Sequence, residues 1–182
     1  DIAAVAEIAH GVGARVVVDN VFATPLFQRP LALGADIVVY SATKHIDGQG
    51  RALGGVILGS RAFIRKTVEP YLKHTGAAMS PFSAWIMLKG METLDLRVRA
   101  QAATAQRLAE ALDGHPNLAR VLFPGLPGHP QHDLAMRQMG AGGTVISIDV
   151  AGGQRAAFAL LNALKIVKIS NNLGDARTIA TH

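Results

Sequence analysis

The chain reads as an α/β fold, and three runs of residues with their spacing predict it. "ARVVVDN" drives Val16, Val17 and Val18 into Asp19, "ADIVVYS" repeats the form at Ile37, Val38 and Val39, and "GGVILG" repeats it again at residues 56–58. Short continuous apolar runs, rich in β-branched residues and not alternating, are the pattern of strands covered by helices on both faces. Sixteen residues separate Asp19 from Asp36, room for a short crossover to a parallel neighbour. Only nine separate Lys44 from Gly54. That is fewer than the roughly twelve a parallel crossover needs, so the third strand is expected to run antiparallel to the second or not to be its neighbour.

The other elements follow in chain order. Residues 2–9 read as the end of a helix, with Ile2, Val5 and Ala9 on one face and Gly11 placed to stop it. "SPFSAWIMLKGMETLDLRVRAQAATAQRLAEALDG" reads as one long helix, capped by Ser80, with Pro81 in its first turn and Gly114 at its end. Leu88, Met91, Leu94, Val98, Ala102, Ala105, Leu108 and Leu112 step by threes and fours into one stripe. A Pro/Gly-rich loop over residues 123–132 precedes a strand "GTVISIDV", a helix "GQRAAFALLNAL" and a strand "IVKISN". The expected organisation is an α/β unit over residues 1–80, a bridging helix over 81–114 and a smaller α+β unit over 115–182.

Composition narrows the function. Apolar residues make up 49% of the 182 and charged residues 17%, which supplies a core and excludes a disordered chain. No apolar run approaches the roughly 18 residues of a membrane span, and no signal-peptide pattern is present, so no membrane partner and a cytoplasmic location are expected. The absence of cysteine excludes a disulfide framework and a thiolate nucleophile. The net charge of +5 is thinly spread, with Arg97, Arg99 and Arg107 read as a solvated helix face. Aromatics are only 5%, without basic–aromatic interleaving, so no nucleic-acid partner is expected. His129 and His132 lie in a proline-broken loop that lacks the helical frame of paired ligands, and no metal site is expected. The glycines of residues 48–55 match neither the P-loop nor the dinucleotide fingerprint. A start at Asp1 inside helical material leads us to expect a piece of a longer protein.

If the first two strands are parallel neighbours, Asp19, Ser41, Thr43 and Lys44 share one carboxyl edge, where open α/β sheets bind ligands. A carboxylate, two hydroxyls and an amine suit pyridoxal 5'-phosphate. Its aldehyde takes a lysine amine, its ring nitrogen takes a carboxylate, and its phosphate takes hydroxyl and backbone donors. Each residue also has a plainer reading: a surface lysine, an aspartate that caps the next turn, hydroxyls that close backbone hydrogen bonds. Singly the plain readings win, and jointly the four residues favour the site.

The same stretch, "VVVDNVFATPLFQRPLALGADIVVYSATKHIDGQGRALGGVILG", closely resembles the Cys/Met metabolism family of pyridoxal-phosphate enzymes. Asp19, Asn20, Phe22, Ala23, Thr24 and Pro25 match the family's V-D-N-T-F-A-T-P element, and Ser41, Thr43 and Lys44 match its H-S-x-T-K element. "SPFSAWIMLKGMETLDLRV" resembles its S-P-F-D-A-W-L-x-L-R-G-L-x-T-L segment, and "SNNLGDARTIATH" its S-L-G-x-x-E-x-L segment. The resemblance implies the aspartate-aminotransferase type of fold (fold type I), here a partial large domain and a partial C-terminal domain. It further implies that Lys44 forms the Schiff base with the cofactor and moves protons at Cα and Cβ. Asp19 would pair with the pyridinium nitrogen, Ser41 and Thr43 would hold the phosphate, and Asn172 would lie near the substrate carboxylate.

Where many members continue after the lysine with Y-x-x-G-H-S-D, this chain has "HIDGQGRALGG", with Gln49 and Arg51 either tuning the acceptor or ordering the turn. That variant is most similar to the family's O-succinylhomoserine sulfhydrylase branch. The implied reaction is γ-replacement on O-succinylhomoserine, or another O-acylhomoserine, by sulfide to give homocysteine for methionine biosynthesis. The alternatives are a cystathionine γ-synthase or γ-lyase, or an inactive fragment. Family members are about twice this length. The resemblance therefore implies that an N-terminal cofactor-holding segment and a C-terminal arginine for the substrate carboxylate lie outside these residues, and that the assembly is a homotetramer.

Overall fold

The computed structural model describes residues 1–182. Helix α1 (Ile2–Gly11) starts on Asp1, whose carboxylate accepts the Ala4 N–H at 3.2 Å and satisfies one free donor of the first turn. It buries Ala6. His10, in its last turn, reaches Asp36 at 2.9 Å, and Asp36 also accepts the Val16 N–H at 2.8 Å. Those two contacts hold α1 to the entrances of the first two strands.

Strand β1 (Val17–Asp19) pairs parallel with β2 (Ile37–Ser41), Asp19 opposite Val39. The crossover between them contains α2 (Thr24–Phe27) and a tighter turn over Pro30–Leu33. Strand β3 (Gly55–Gly59) pairs antiparallel with β2, so the short Lys44-to-Gly54 connection has the geometry expected of it. The sheet order is β1-β2-β3. Side chains alternate across a sheet, so register assigns its faces. Val38 and Tyr40 lie on one face and join Ala6, Val16, Ala35, Ala42, Ile46 and Met87 in the main core. Asp19, Val39 and Ser41 lie on the other. That second face is less covered than the apolar runs led us to expect: Val17 and Ile57, which share it by register, are exposed within this chain.

After β3 comes a helical stretch that periodicity alone did not identify: α3 (Arg61–Phe63), a widened π turn over Ile64–Val68, and α4 (Glu69–Thr75). Pro70 has no N–H to give to the preceding turn, which accounts for the widening beside it.

The single long helix is corrected to two, α5 (Pro81–Glu92) and α6 (Leu94–Leu112). Ser80 does cap the first, its hydroxyl accepting the Ser83 N–H at 3.1 Å. Thr93, at φ −112° and ψ 7°, leaves the helical well and breaks the stripe. The inward residues become Ile86, Met87 and Gly90 on α5 and Leu94, Val98, Ala105 and Ala109 on α6, while Leu88, Met91 and Leu108 are exposed.

Beyond α6, β4 (Leu118–Leu122) and α7 (His132–Met139) precede β5 (Ser147–Val150), which pairs antiparallel with β4. Neither β4 nor α7 was expected, because one carries Ala119 and Arg120 exposed at its centre and the other follows a proline-rich run. Phe123 and Leu126 of that run are buried against Ala105 and Ala109, so part of the predicted loop is core. Helix α8 (Gly153–Ala163) leads to β6 (Lys168–Ile169), shorter than the six-residue strand expected at 166–171, which pairs parallel with β7 (Ile179–Ala180). No helix is long and apolar enough to cross a membrane.

Candidate active site

The β1–β2 register decides which side chains meet. Asp19 is opposite Val39, and Ser41 lies two residues further along the same face of β2, so a carboxylate and a hydroxyl share one face at the carboxyl edge. The chain then turns. The Thr43 hydroxyl accepts the Gly54 N–H at 3.1 Å, which ties the outgoing loop to the start of β3 and leaves its proton free to donate. One Asp19 oxygen accepts the Val21 N–H at 3.1 Å, the turn-capping contact of the plainer reading.

Lys44 is half-buried and donates to the Asn172 side-chain oxygen at 3.0 Å, across 128 residues of chain. Neither Lys44 nor Asp19 takes part in any of the chain's ion pairs. Opposite charges at one edge, each without a protein counter-ion, match a group that needs an amine at one end and a carboxylate at its ring nitrogen. The donor set therefore fits pyridoxal phosphate.

The turn that carries Lys44 is held from within and from outside. Asp47, 1% exposed, accepts the Arg51 backbone N–H at 2.6 Å and the Arg51 Nε at 2.9 Å, while Arg51 Nη2 donates to the Asp47 carbonyl at 3.0 Å. Arg51 thus orders the turn, the plainer of its two readings. From outside comes the segment at residues 170–177. The Ala176 N–H donates to the Gly48 carbonyl at 2.7 Å, and Gln101 of α6 donates to the Asp175 carbonyl at 3.1 Å. Asp175 is buried, and its bonds from Arg177 hold its carboxyl below the usual range.

His45, next to Lys44, is buried, and its Nε2 meets the Thr144 hydroxyl at 2.9 Å. Its ring lies against Gly174, where φ is +81° and an added Cβ would stand 2.6 Å from the His45 backbone nitrogen. Only glycine allows that approach. Burial first, and the Arg97 charge second, push the His45 pKa down to about 4, so the ring is neutral near neutral pH.

Sequence reasoning missed His45, Thr144, Gly174 and Arg97. Arg97 is the clearest correction: it is not solvated with Arg99 but turned inward, its guanidinium donating to the carbonyls of His45, Ile46 and Gly90. The glycines of "SNNLGDA" and "LKGMETLDLR" were visible signals of close backbone approach, but nothing local said to what. The histidines of the proline-rich loop are spent on backbone contacts. His129 accepts the Gln131 N–H at 3.1 Å, and His132 lies 2.9 Å from the Pro124 carbonyl oxygen.

Comparison with known proteins extends this geometry. The chain is 56% identical over 188 residues to O-succinylhomoserine sulfhydrylase of Mycobacterium tuberculosis, covering 100% of this chain and 46% of that protein. The sulfhydrylase of Pseudomonas aeruginosa is 52% identical, with 100% of this chain and 45% of that protein covered. L-methionine gamma-lyase of Treponema denticola is 43% identical, with 100% and 46% covered. The crystal structure of cystathionine gamma synthase from Xanthomonas oryzae pv. oryzae, in complex with aminoacrylate and cysteine, superposes with a TM-score of 0.96 at 38% identity, over 100% of this chain and 47% of that one. The chain spans about half the length of the curated relatives it matches. With the family's sequence pattern matched from residue 1 to residue 182, the chain belongs to the Cys/Met metabolism PLP-dependent enzymes, of fold type I.

Proposed function

We propose that the complete gene product containing this chain replaces the γ-succinyloxy group of O-succinylhomoserine, or the acyloxy group of another O-acylhomoserine, with sulfide, a Cγ–S bond taking the place of the Cγ–O bond. The products are homocysteine and the free acid, a step of methionine biosynthesis. One observation carries the reading: a half-buried lysine amine without a counter-ion, held by Asn172 at the sheet edge that also bears Asp19 and Ser41. The higher identity to sulfhydrylases than to gamma-lyases supports replacement by sulfide.

Pyridoxal phosphate, when bound, supplies an aldehyde for amines and an electron sink for a carbanion at the substrate's Cα. The chain's own residues have these roles. Asp19 holds a proton at the ring nitrogen. Ser41 and Thr43 donate hydroxyl hydrogens to the phosphate. Lys44 anchors the cofactor through Nζ, and the same nitrogen then takes and returns protons at Cα and Cβ of the substrate. Asn172 gives Nζ a neutral partner, so the amine can leave it without breaking an ion pair, and it orients the substrate carboxylate. Residues 1–80 form the cofactor-binding unit and residues 115–182 the smaller unit. The working assembly is a cytoplasmic homotetramer.

The gamma-lyase and gamma-synthase relatives favour a second reading, elimination or cystathionine formation at the same site. Two measurements test the proposal. Borohydride added with pyridoxal phosphate is expected to fix the cofactor on Lys44, as read by peptide mass, and Lys44→Ala to abolish it. Absence of the adduct ends the reading. Incubating O-succinylhomoserine with sulfide is expected to yield homocysteine. Release of α-keto acid, or a product only with cysteine, would assign the second reading instead.

A further inference from the structure

Lys44 is delivered by a turn, and a turn places an amine only as well as its backbone is held. The carbonyls of His45 and Ile46, the two residues after Lys44, accept from Arg97 Nη1 at 3.0 Å and Nη2 at 3.3 Å. The same guanidinium takes the Gly90 carbonyl at 2.7 Å, and its Nε donates to the Thr93 hydroxyl at 3.0 Å. Arg97 therefore sits in the joint between α5 and α6 and fastens the lysine turn to it. Contact at that joint is backbone to backbone: a Cβ at Gly90 would stand 3.0 Å from the Asp47 carbonyl oxygen. A planar fork with five donors can serve three carbonyls and a hydroxyl at once, which a lysine ammonium cannot.

The geometry points to Arg97 as a positioning residue for the reaction: by clamping the His45 and Ile46 carbonyls it fixes Lys44 Nζ over the reacting atoms. Arg97 touches neither substrate nor cofactor in this role. The inference rests on the reading of Lys44 proposed above, and misplacing a reacting group by about 1 Å can lower a rate by up to ~100-fold.

The test uses the complete gene product with Arg97→Lys and Arg97→Met. The first readout is hydrogen exchange without cofactor, at the Asp47 and Gly48 amides, which bond to the Ala42 and Lys44 carbonyls inside the turn. Both variants are expected to speed this exchange by about tenfold or more, Met beyond Lys. The second readout is kinetic: kcat is expected to fall ~10- to 100-fold with KM within about twofold, and Lys to retain more activity than Met. Unchanged exchange in both variants overturns the clamp. Faster exchange with unchanged kcat, or kcat and KM altered in parallel, overturns its positioning role. If Arg97→Met fails to fold, Arg97→Lys decides by the same readouts. Failure of the unsubstituted protein to trap cofactor on Lys44 would sink the reading of the site, whereas the cofactor-free exchange would still decide the clamp.

Discussion

His45 is buried beside the catalytic candidate with its pKa pushed to about 4 from 6.5, and that shift makes stability depend on pH. The unfolded chain takes up the proton near 6.5, whereas the folded chain resists it until about 4. Stability is therefore full above about pH 6.5 and falls as pH drops from there to about 4, by about 3 kcal/mol in all. Urea unfolding measured across this window should show the slope, and His45→Gln should flatten it. Asp36 and Asp175, whose carboxyls are held below the usual range, lose their contributions only at lower pH, so the two effects separate.

Asn20 gives a second prediction at the residue scale. It is 1% exposed, donates to the Thr24 and Gln28 carbonyls and the Tyr40 hydroxyl, and accepts from Gln28 Nε2 at 2.7 Å. Asn20→Ala would leave the Gln28 carbonyl, Gln28 Nε2 and the Tyr40 hydroxyl without this partner, whereas the Thr24 carbonyl keeps the Gln28 N–H, so a loss of about 2–3 kcal/mol is expected in equilibrium unfolding. Its neighbour Thr24 adopts φ +60°, uncommon for a β-branched residue, and the network around Asn20 holds it there.

Among the elements, the segment at residues 170–177 closes the site, yet little apolar burial holds it. It docks through Lys44–Asn172, the Ala176–Gly48 backbone bond and the flat contact of Gly174 on His45. Gly174→Ala forces a Cβ into that contact at positive φ, so the segment should lift: limited proteolysis within it and exchange of the Ala176 amide should both accelerate, with about 1–3 kcal/mol of stability lost. An unchanged Ala176 amide would show that the segment is held by its other bonds. Element boundaries were legible in sequence where a local rule operates, as at the Ser80 cap, and illegible where a tertiary contact decides. Thr93 breaks the predicted helix because Arg97, Gly90 and the lysine turn meet there, and no pattern within residues 80–114 encodes that meeting.

For the whole molecule, only 28 of 182 residues are buried, and large apolar side chains stand exposed on α1 (Val5, Ile8) and α5 (Phe82, Trp85). Because the chain spans about half the length of its relatives, the 182 residues expressed alone are expected to bind pyridoxal phosphate weakly and to show little turnover. They should also bind a hydrophobic dye more strongly than the complete gene product does. Cofactor absorbance after desalting and dye fluorescence of the two proteins check both points. Tight cofactor retention by the short chain would refute the expectation.

The sequence by itself determined the three strands of the first sheet, a connection long enough for a parallel first pair, and the address of Lys44, because β-branched runs, connection lengths and a carboxylate and hydroxyls at strand ends are local facts. It also carried the family, since its motifs occur in order along the chain. The tertiary structure alone decided what surrounds the lysine. Asn172 arrives from 128 residues away, Thr144 from 99 residues beyond His45, and Arg97 from a helix whose break no periodicity records. These are single polar contacts between distant segments, made possible by glycines and by burial. Such contacts leave no repeating pattern in a sequence, because their partners share neither an element nor a period.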